Sequence, residues 1–314
     1  MTQSKWGVIY CPKTASRRAA RRWRKILQTL KSEGIAFDHA VSDSRGAVER
    51  LAAMMTQAGY PTIIVVGGDA ALNEALNGIM TKSDELADKS VNNRVKRPLL
   101  GIIPNGYGND FARYWGYEEG KYKEAIRQLI QHRRRKVDVG RATITTDNGQ
   151  QTRYFLNCAN VGLAATLIQL RKKTRSFFGM TAPAYLAAAL TLLFKRMHYK
   201  MHFSLNSEDV RHDEMTVCVG SSTGYGQTPS AVPYNGALDI TAVSHPRLLS
   251  LFNGLWLLFT GRFLTHESVK VWRTHHITFH DIGRATLSLD GKIIHDPVKQ
   301  IDIDILPEEL DFII

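Results

Sequence analysis

Along the first part of the chain, apolar positions switch between two periods. Residues 7–10 form a short apolar run that predicts a strand. Residues 16–33 predict a helix, with Trp23, Ile26, Leu27 and Leu30 on one face at helical spacing and Gly34 as its stop. A strand near 35–41 and a helix near 46–58 follow. Then come a strand at 62–66 and a helix over 70–77, with Gly78 as a C-terminal stop. Residues 99–103 predict a further strand, and a helix begins near Asn109. Alternation of this kind predicts an α/β class with a parallel sheet and helices on both faces.

The pattern changes after the basic run "HRRRKVDVG", 132–140. Later segments alternate with period two: "RATITT", "TRYFLNCANVG", "MTVCVG", "ALDITAV", "SVKVW", "ATLSLDG" and "KQIDIDIL". They predict a second domain rich in antiparallel β, interrupted by two helical insertions. The boundary falls near residue 137, giving domains of 1–137 and 138–306, with 307–314 returning to the first. Two apolar stretches bear on membrane spanning. Residues 177–194 carry no charge, but they hold Gly179, Thr181, Pro183 and Thr191 and lie between expected strands, so they read as a buried or interfacial helix. Residues 248–264 are broken by Asn253, Gly254 and Arg262 and suit a pocket wall or an interfacial helix.

Composition is that of an ordinary soluble protein. Cys11, Cys158 and Cys218 are far apart and form no C-x-x-C pair, which suits a reducing cytosol and argues against a disulfide framework. The pairs His198/His202 and His276/His280 have i,i+4 spacing, which by itself makes no metal site, and both read as surface histidines. A net charge of +12 attracts anions: nucleic acid, a phosphorylated metabolite or an anionic membrane leaflet. No nucleic-acid motif accompanies it, so nucleic acid is not an expected partner.

Two strand-loop-helix units carry the candidate chemistry. In the first, Val65 and Val66 lead into Gly67, Gly68 and Asp69, and a helix starts at once. Glycines admit positive φ and close backbone approach, and a helix N-terminus attracts phosphate. A tight turn with a capping Asp69 explains the same residues. The second unit is "GIIPNGYGNDFAR", 101–113, where a loop through Gly106, Tyr107 and Gly108 meets a helix at Asn109 and Asp110, with Arg113 one turn on. Two such loops at the ends of parallel strands mark a ligand site in open α/β sheets. A third loop, "YCPKTASRR", offers Lys13, Ser16, Arg17 and Arg18 to phosphate without being a Walker A motif.

These stretches resemble a known family. "VVGGDAALNEALNG" is similar to the GGDGTxNEVxNG signature of the diacylglycerol kinase catalytic-domain family, and "IIPNGYGNDFAR" to its PLGTGNDFAR. "LDG" at 289–291 sits where the family carries D-G-E, and "TPSAVPYNGALDI" resembles its P-x-A-x-x-D-D-G-x-L-D segment. The resemblance covers almost the whole chain. It implies a Rossmann-like α/β domain and an antiparallel β-sandwich domain, with ATP and a lipid in the cleft between, and transfer of the γ-phosphoryl group to a lipid hydroxyl. Carried over by motif, Cys11, Pro12, Lys13, Thr14, Ala15, Gly67, Gly68, Asn73, Glu74, Gly106, Tyr107 and Gly108 would contact ATP. Asp69 would orient magnesium-bound phosphates, directly or through water. Asn109, Asp110 and Arg113 would sit near the transferred phosphate, and Asp290 would take the hydroxyl proton.

The sequence departs from the family at several positions. Ala70 and Ala71 replace Gly-Thr, and Ala70 either extends the helix start or blocks a positive-φ turn. Lys292 replaces the glutamate of D-G-E, placing a cation beside Asp290 that weakens a base or holds phosphate. Asn235 replaces an acidic ligand of a structural magnesium, for which an amide oxygen is a poorer donor. Arg18, Arg21, Arg22 and Lys25 lie opposite the apolar stripe of the first helix, as a solvated face or an anionic-lipid dock. The expectation is a cytoplasmic lipid kinase, peripheral at the inner membrane face, using ATP and Mg2+. A homodimer is compatible with it. The alternatives are an NAD kinase-like enzyme and a catalytically weakened nucleotide- or lipid-binding protein.

Overall fold

A computed structural model of the chain describes residues 5–12, 17–44, 46–89, 95–106, 109–163, 165, 199–223, 227–244 and 263–314, without the side chains of 17, 18 and 263. Lys13, Thr14, Ala15, Ser16, Tyr107, Gly108 and His198 lie outside the described residues, as do the apolar stretches 177–194 and 248–262. The chain divides into two compact units, Met1–Val139 with Pro307–Ile314, and Gly140–Leu306.

The first unit runs β1 (Trp6–Tyr10), α1 (Arg17–Ser32), β2 (Phe37–Val41), α2 (Ala47–Gln57), β3 (Thr62–Gly67), α3 (Asp69–Asp88), β4 (Leu99–Pro104), α4 (Asp110–Tyr114) and α5 (Tyr122–Ile130). Its strands lie in the order β2-β1-β3-β4, all parallel. Every residue of β1 and β3 is buried, as the near-continuous apolar runs of strands covered on both faces require. α1 packs Trp23, Ile26 and Leu30 inward.

One feature of this unit differs from expectation. The helix over 70–77 does not stop at Gly78 but continues to Asp88. A Cβ built on Gly78 would stand 2.2 Å from the Glu49 carbonyl oxygen and 3.0 Å from the Ala53 amide nitrogen. Gly78 therefore lets α2 cross α3 backbone against backbone, and it terminates nothing. α5, a short helix for which the sequence pattern gives no expectation, buries Ala125, Ile126 and Leu129.

The second unit is an antiparallel β-sandwich. It contains the later part of β5 (Arg134–Thr146), then β6 (Gly149–Phe155), β7 (Cys158–Gly162), β8 (Tyr199–Leu205), β9 (Glu208–Gly220), β10 (Leu238–Ser244), β11 (Val269–Thr274), β12 (His276–Asp281), β13 (Leu287–Leu289), β14 (Lys292–Ile293) and the first part of β15 (Val298–Ile313). The long strand β9 pairs with β8 through its first half and with β7 and β10 through its second. Phe155, Val161, Phe203, Val219, Ile240 and Phe279 belong to its apolar core. "TRYFLNCANVG", expected as one strand, breaks at Leu156 and Asn157 into β6 and β7. Among the described residues no helix is long and apolar enough to cross a membrane.

Candidate active site

The carboxyl ends of β1, β3 and β4 carry the expected loops, and backbone hydrogen bonds set them side by side. Cys11 N–H donates to the Val66 carbonyl at 2.9 Å, and Asn105 N–H to the Gly67 carbonyl at 2.7 Å. The sheet order switches between β1 and β3, and ligands of open α/β sheets bind outside such a switch point.

Asp69 links the two glycine loops. It is buried, at 5 % exposure, in the first turn of α3. Its Oδ2 accepts the Asp110 N–H at 3.0 Å and its Oδ1 the Phe111 N–H at 3.3 Å, so its carboxylate holds the first turn of α4. The cap on its own helix is Gly68, which makes no side-chain bond. Asp69 thus positions the partner loop, a role that neither the turn nor the magnesium reading contained. Within that partner loop, the Asn109 side chain accepts the Gly106 N–H and donates to the Gly106 carbonyl, both at 3.1 Å. Arg113, mostly exposed, pairs with Asp110.

The glycines of the first loop work by close approach. Gly68 is extended at φ −113°, and a Cβ on Gly67 would stand 2.7 Å from the Ala71 Cβ and 3.4 Å from the Cys11 Cβ. Ala71 is small enough to lie against Gly67. Ala70 is exposed and helical, away from any positive-φ position, so it extends the helix and blocks no turn. Asn73 is buried inside α3, where its carbonyl and Oδ1 accept the Asn77 amide at 2.8 and 3.3 Å. Burial pushes the Cys11 thiol above its ordinary value, and the charge of the half-buried Glu74 adds to this. The Cys11 thiol is therefore a poor nucleophile.

Two residues of the loop cluster escaped the pattern reading. The Arg22 guanidinium, assigned to a solvated or lipid-facing row, donates to the Asn105 side-chain oxygen at 2.9 Å. The Tyr10 ring stacks on Trp23 at 4.4 Å, and its hydroxyl donates to the Ala19 carbonyl at 3.2 Å. Nothing in the spacing of Arg22 separates it from the exposed Arg21 and Lys25.

In the second unit Asp290 and Gly291 form a two-residue turn between β13 and β14, at φ 45° and 78°. Such a turn matches the twist of a hairpin and favours Asp-Gly. Asp290 is 3 % exposed. Its Oδ2 accepts the Leu156 N–H at 2.8 Å, and its Oδ1 accepts the Asn157 and Cys158 N–H groups at 2.9 Å each. This capture of three successive amides is why the expected single strand breaks. Lys292 opens β14 and is half-buried. Asn235 lies in a turn before β10, where its side-chain oxygen accepts the Ala237 N–H at 3.0 Å.

Residues 5–142 match the family model of the diacylglycerol kinase catalytic domain. Residues 158–314 match that of the YegS C-terminal NAD kinase beta sandwich-like domain. The chain is 24 % identical over 290 residues to the diacylglycerol kinase of Staphylococcus saprophyticus, covering 91 % of this chain and 88 % of that one. It is 29 % identical over 225 residues to the "Probable lipid kinase YegS-like" of Chromohalobacter salexigens, covering 71 % and 66 %. The solved structure of a diacylglycerol kinase from Bacillus anthracis shares its fold, with a TM-score of 0.67 at 17 % identity over 100 % of this chain and 97 % of that one.

Proposed function

Since the chain belongs to the diacylglycerol kinase catalytic-domain family, we propose that it transfers the γ-phosphoryl group of ATP to the hydroxyl of a diacylglycerol-like or other long-chain lipid. The observation that carries this reading is the Asp69 carboxylate on the Asp110 and Phe111 amides, which ties the two glycine loops at adjacent strand ends. Phosphoryl transfer asks a protein for positioning and charge more than for covalent chemistry. In this reading Cys11 to Ala15, Gly67, Gly68, Asn73, Glu74 and Gly106 to Gly108 line the nucleotide site. Asn109, Asp110, Arg113 and Lys292 serve the phosphates.

Magnesium enters with the nucleotide as Mg-ATP. Each Asp69 oxygen accepts an N–H bond and, as a carboxylate oxygen, offers a second lone pair, so Asp69 would hold the ion directly or through its water, while the Asn235 amide oxygen, which already accepts one N–H, is a poorer ligand; no step is assigned to a protein-held ion. Asp290 is the proposed proton acceptor. Its three N–H partners orient it, and they also engage lone pairs that a proton acceptor needs. Exposed Arg21 and Lys25 on α1 support docking to an anionic membrane, worth about 1 kcal/mol per basic residue near the surface.

The reading is tested with purified protein, Mg-ATP labelled at the γ-phosphate, a panel of lipid alcohols and, as a separate arm, NAD. Labelled lipid phosphate is the expected product. Label in NAD alone would favour the NAD kinase alternative, and ATP binding without any turnover the weakened-binder alternative. Asp290→Asn should abolish transfer while the protein stays folded; full activity in that variant would leave Asp290 a clamp only.

A further inference from the structure

The strongest unassigned cluster lies on the outward face of the β-sandwich, across three neighbouring strands. β8 sends Met201, Phe203 and Leu205 into the core and leaves Lys200, His202 and Ser204 outside. A two-residue turn at Asn206 and Ser207, both at positive φ, folds β9 back so that Asp209 pairs with Ser204. On the other edge β12 pairs with β8, and the register slips between Phe279 and Asp281, leaving His280 as the extra residue of a bulge. Bulges re-aim side chains. Here the His280 ring lies 4.5 Å from the His202 ring, centroid to centroid.

We propose that His202, Asp209 and His280 form a binding site for a divalent transition-metal ion of the zinc type. Each offers one ligand atom, and these atoms lie within 4.8 Å of one another. Two imidazoles and one carboxylate are a donor set that suits zinc and disfavours magnesium. A tetrahedral ion with bonds near 2.0–2.1 Å sets its ligand atoms about 3.3 Å apart. The 2.5 Å contact between His202 Nε2 and Asp209 Oδ1 then opens by about 0.8 Å, and His280 closes in. Asp209 and His280 are exposed and His202 is half-buried, so the adjustment falls mainly on the two exposed side chains.

The surroundings fit an ion. Arg211 Nε donates to Asp209 Oδ2 at 3.2 Å, leaving Oδ1 to the metal and fixing the carboxylate plane. The Ser204 hydroxyl is 2.9 Å from His280 Nε2 and orients that ring. Ser204 and Asp209 also border an open groove of about 480 Å³ with His276 and Thr278, so solvent reaches the carboxylate. His276 is itself engaged by Asp304 at 2.7 Å and Thr278 at 2.9 Å, so the ligand set takes one histidine from each i,i+4 pair and crosses strands. An ion here would fasten β9, β8 and β12 together far from any role in phosphoryl transfer.

The test uses full-length, tag-free protein stripped by chelator and titrated with Zn2+ alone, and with Co2+ for its visible absorption. One ion per chain is expected, with intense tetrahedral Co2+ bands and a thermal midpoint that rises with Zn2+. His202→Ala, His280→Ala and Asp209→Asn should each weaken binding by about 100-fold or more, and His276→Ala should leave it unchanged. The proposal is overturned if the wild type takes up no ion at micromolar Zn2+. It is equally overturned if His202→Ala and His280→Ala, shown folded by circular dichroism, bind as tightly as the wild type, or if His276→Ala loses as much as they do.

Discussion

Asp69 and Asp290 look alike in the sequence and act differently in the structure. Each adjoins a glycine, each is buried, and each gives both carboxylate oxygens to backbone N–H groups. Asp69 is the first residue of a helix and reaches 41 residues along the chain to hold the start of another helix. Asp290 sits in a left-handed turn and holds three successive amides, which breaks a strand. The difference teaches that an Asp-Gly or Gly-Asp pair names a carboxylate beside a flexible backbone and leaves its partner undefined. The partner follows from which backbone donors the fold leaves without a ladder.

The largest effect is expected from Asp290→Ala. It strands three buried N–H groups and should lower unfolding stability by about 4 kcal/mol in urea titrations. Asp69→Ala strands two, one of them through a longer bond, and should cost about 2 kcal/mol while also removing phosphoryl transfer. Equal losses would erase the contrast between the two residues.

The neighbouring glycines sharpen it. Gly291→Ala forces a side chain to φ 78° and should cost about 1–2 kcal/mol that no neighbouring truncation restores. Gly67→Ala should cost about as much through the 2.7 Å approach to Ala71, and the double variant with Ala71→Gly should lose less than the sum of the two single changes. Independent, additive losses in that double variant would contradict the close-approach account.

The smallest effect concerns a third buried carboxylate. Burial raises the Glu214 carboxyl above its ordinary value; the Ser244 hydroxyl donates to its Oε2 at 3.0 Å, and the His212 ring stands 3.4 Å from its Oε1. A raised folded-state value means that its contribution is fully present below the unfolded value and lost as pH rises through the folded one. Glu214→Gln should therefore match the wild type near pH 4 and be the more stable of the two at pH 8 in thermal or urea unfolding. A variant that is less stable at pH 8 would contradict this.

Much of the first unit was legible because β1, β3 and nearly all of β4 are buried and read as continuous apolar runs. The two glycine loops were legible as a pair for the same reason, since each follows such a strand. Gly78 was misread because a glycine that admits a crossing helix and one that ends a helix look identical along the chain. The break at Leu156 and Asn157 was hidden because its cause lies more than 130 residues away, in Asp290. Arg22 was hidden among arginines of like spacing, and the histidine cluster because its members meet across strands rather than along one.

The central claim is phosphoryl transfer to a lipid, and the most direct measurement is label from γ-labelled Mg-ATP appearing in an extracted lipid phosphate. The account predicts time-dependent labelling of at least one long-chain lipid alcohol by the wild type and none by Asp69→Ala. Absence of labelled lipid across the panel, with the protein folded and ATP bound, would contradict it.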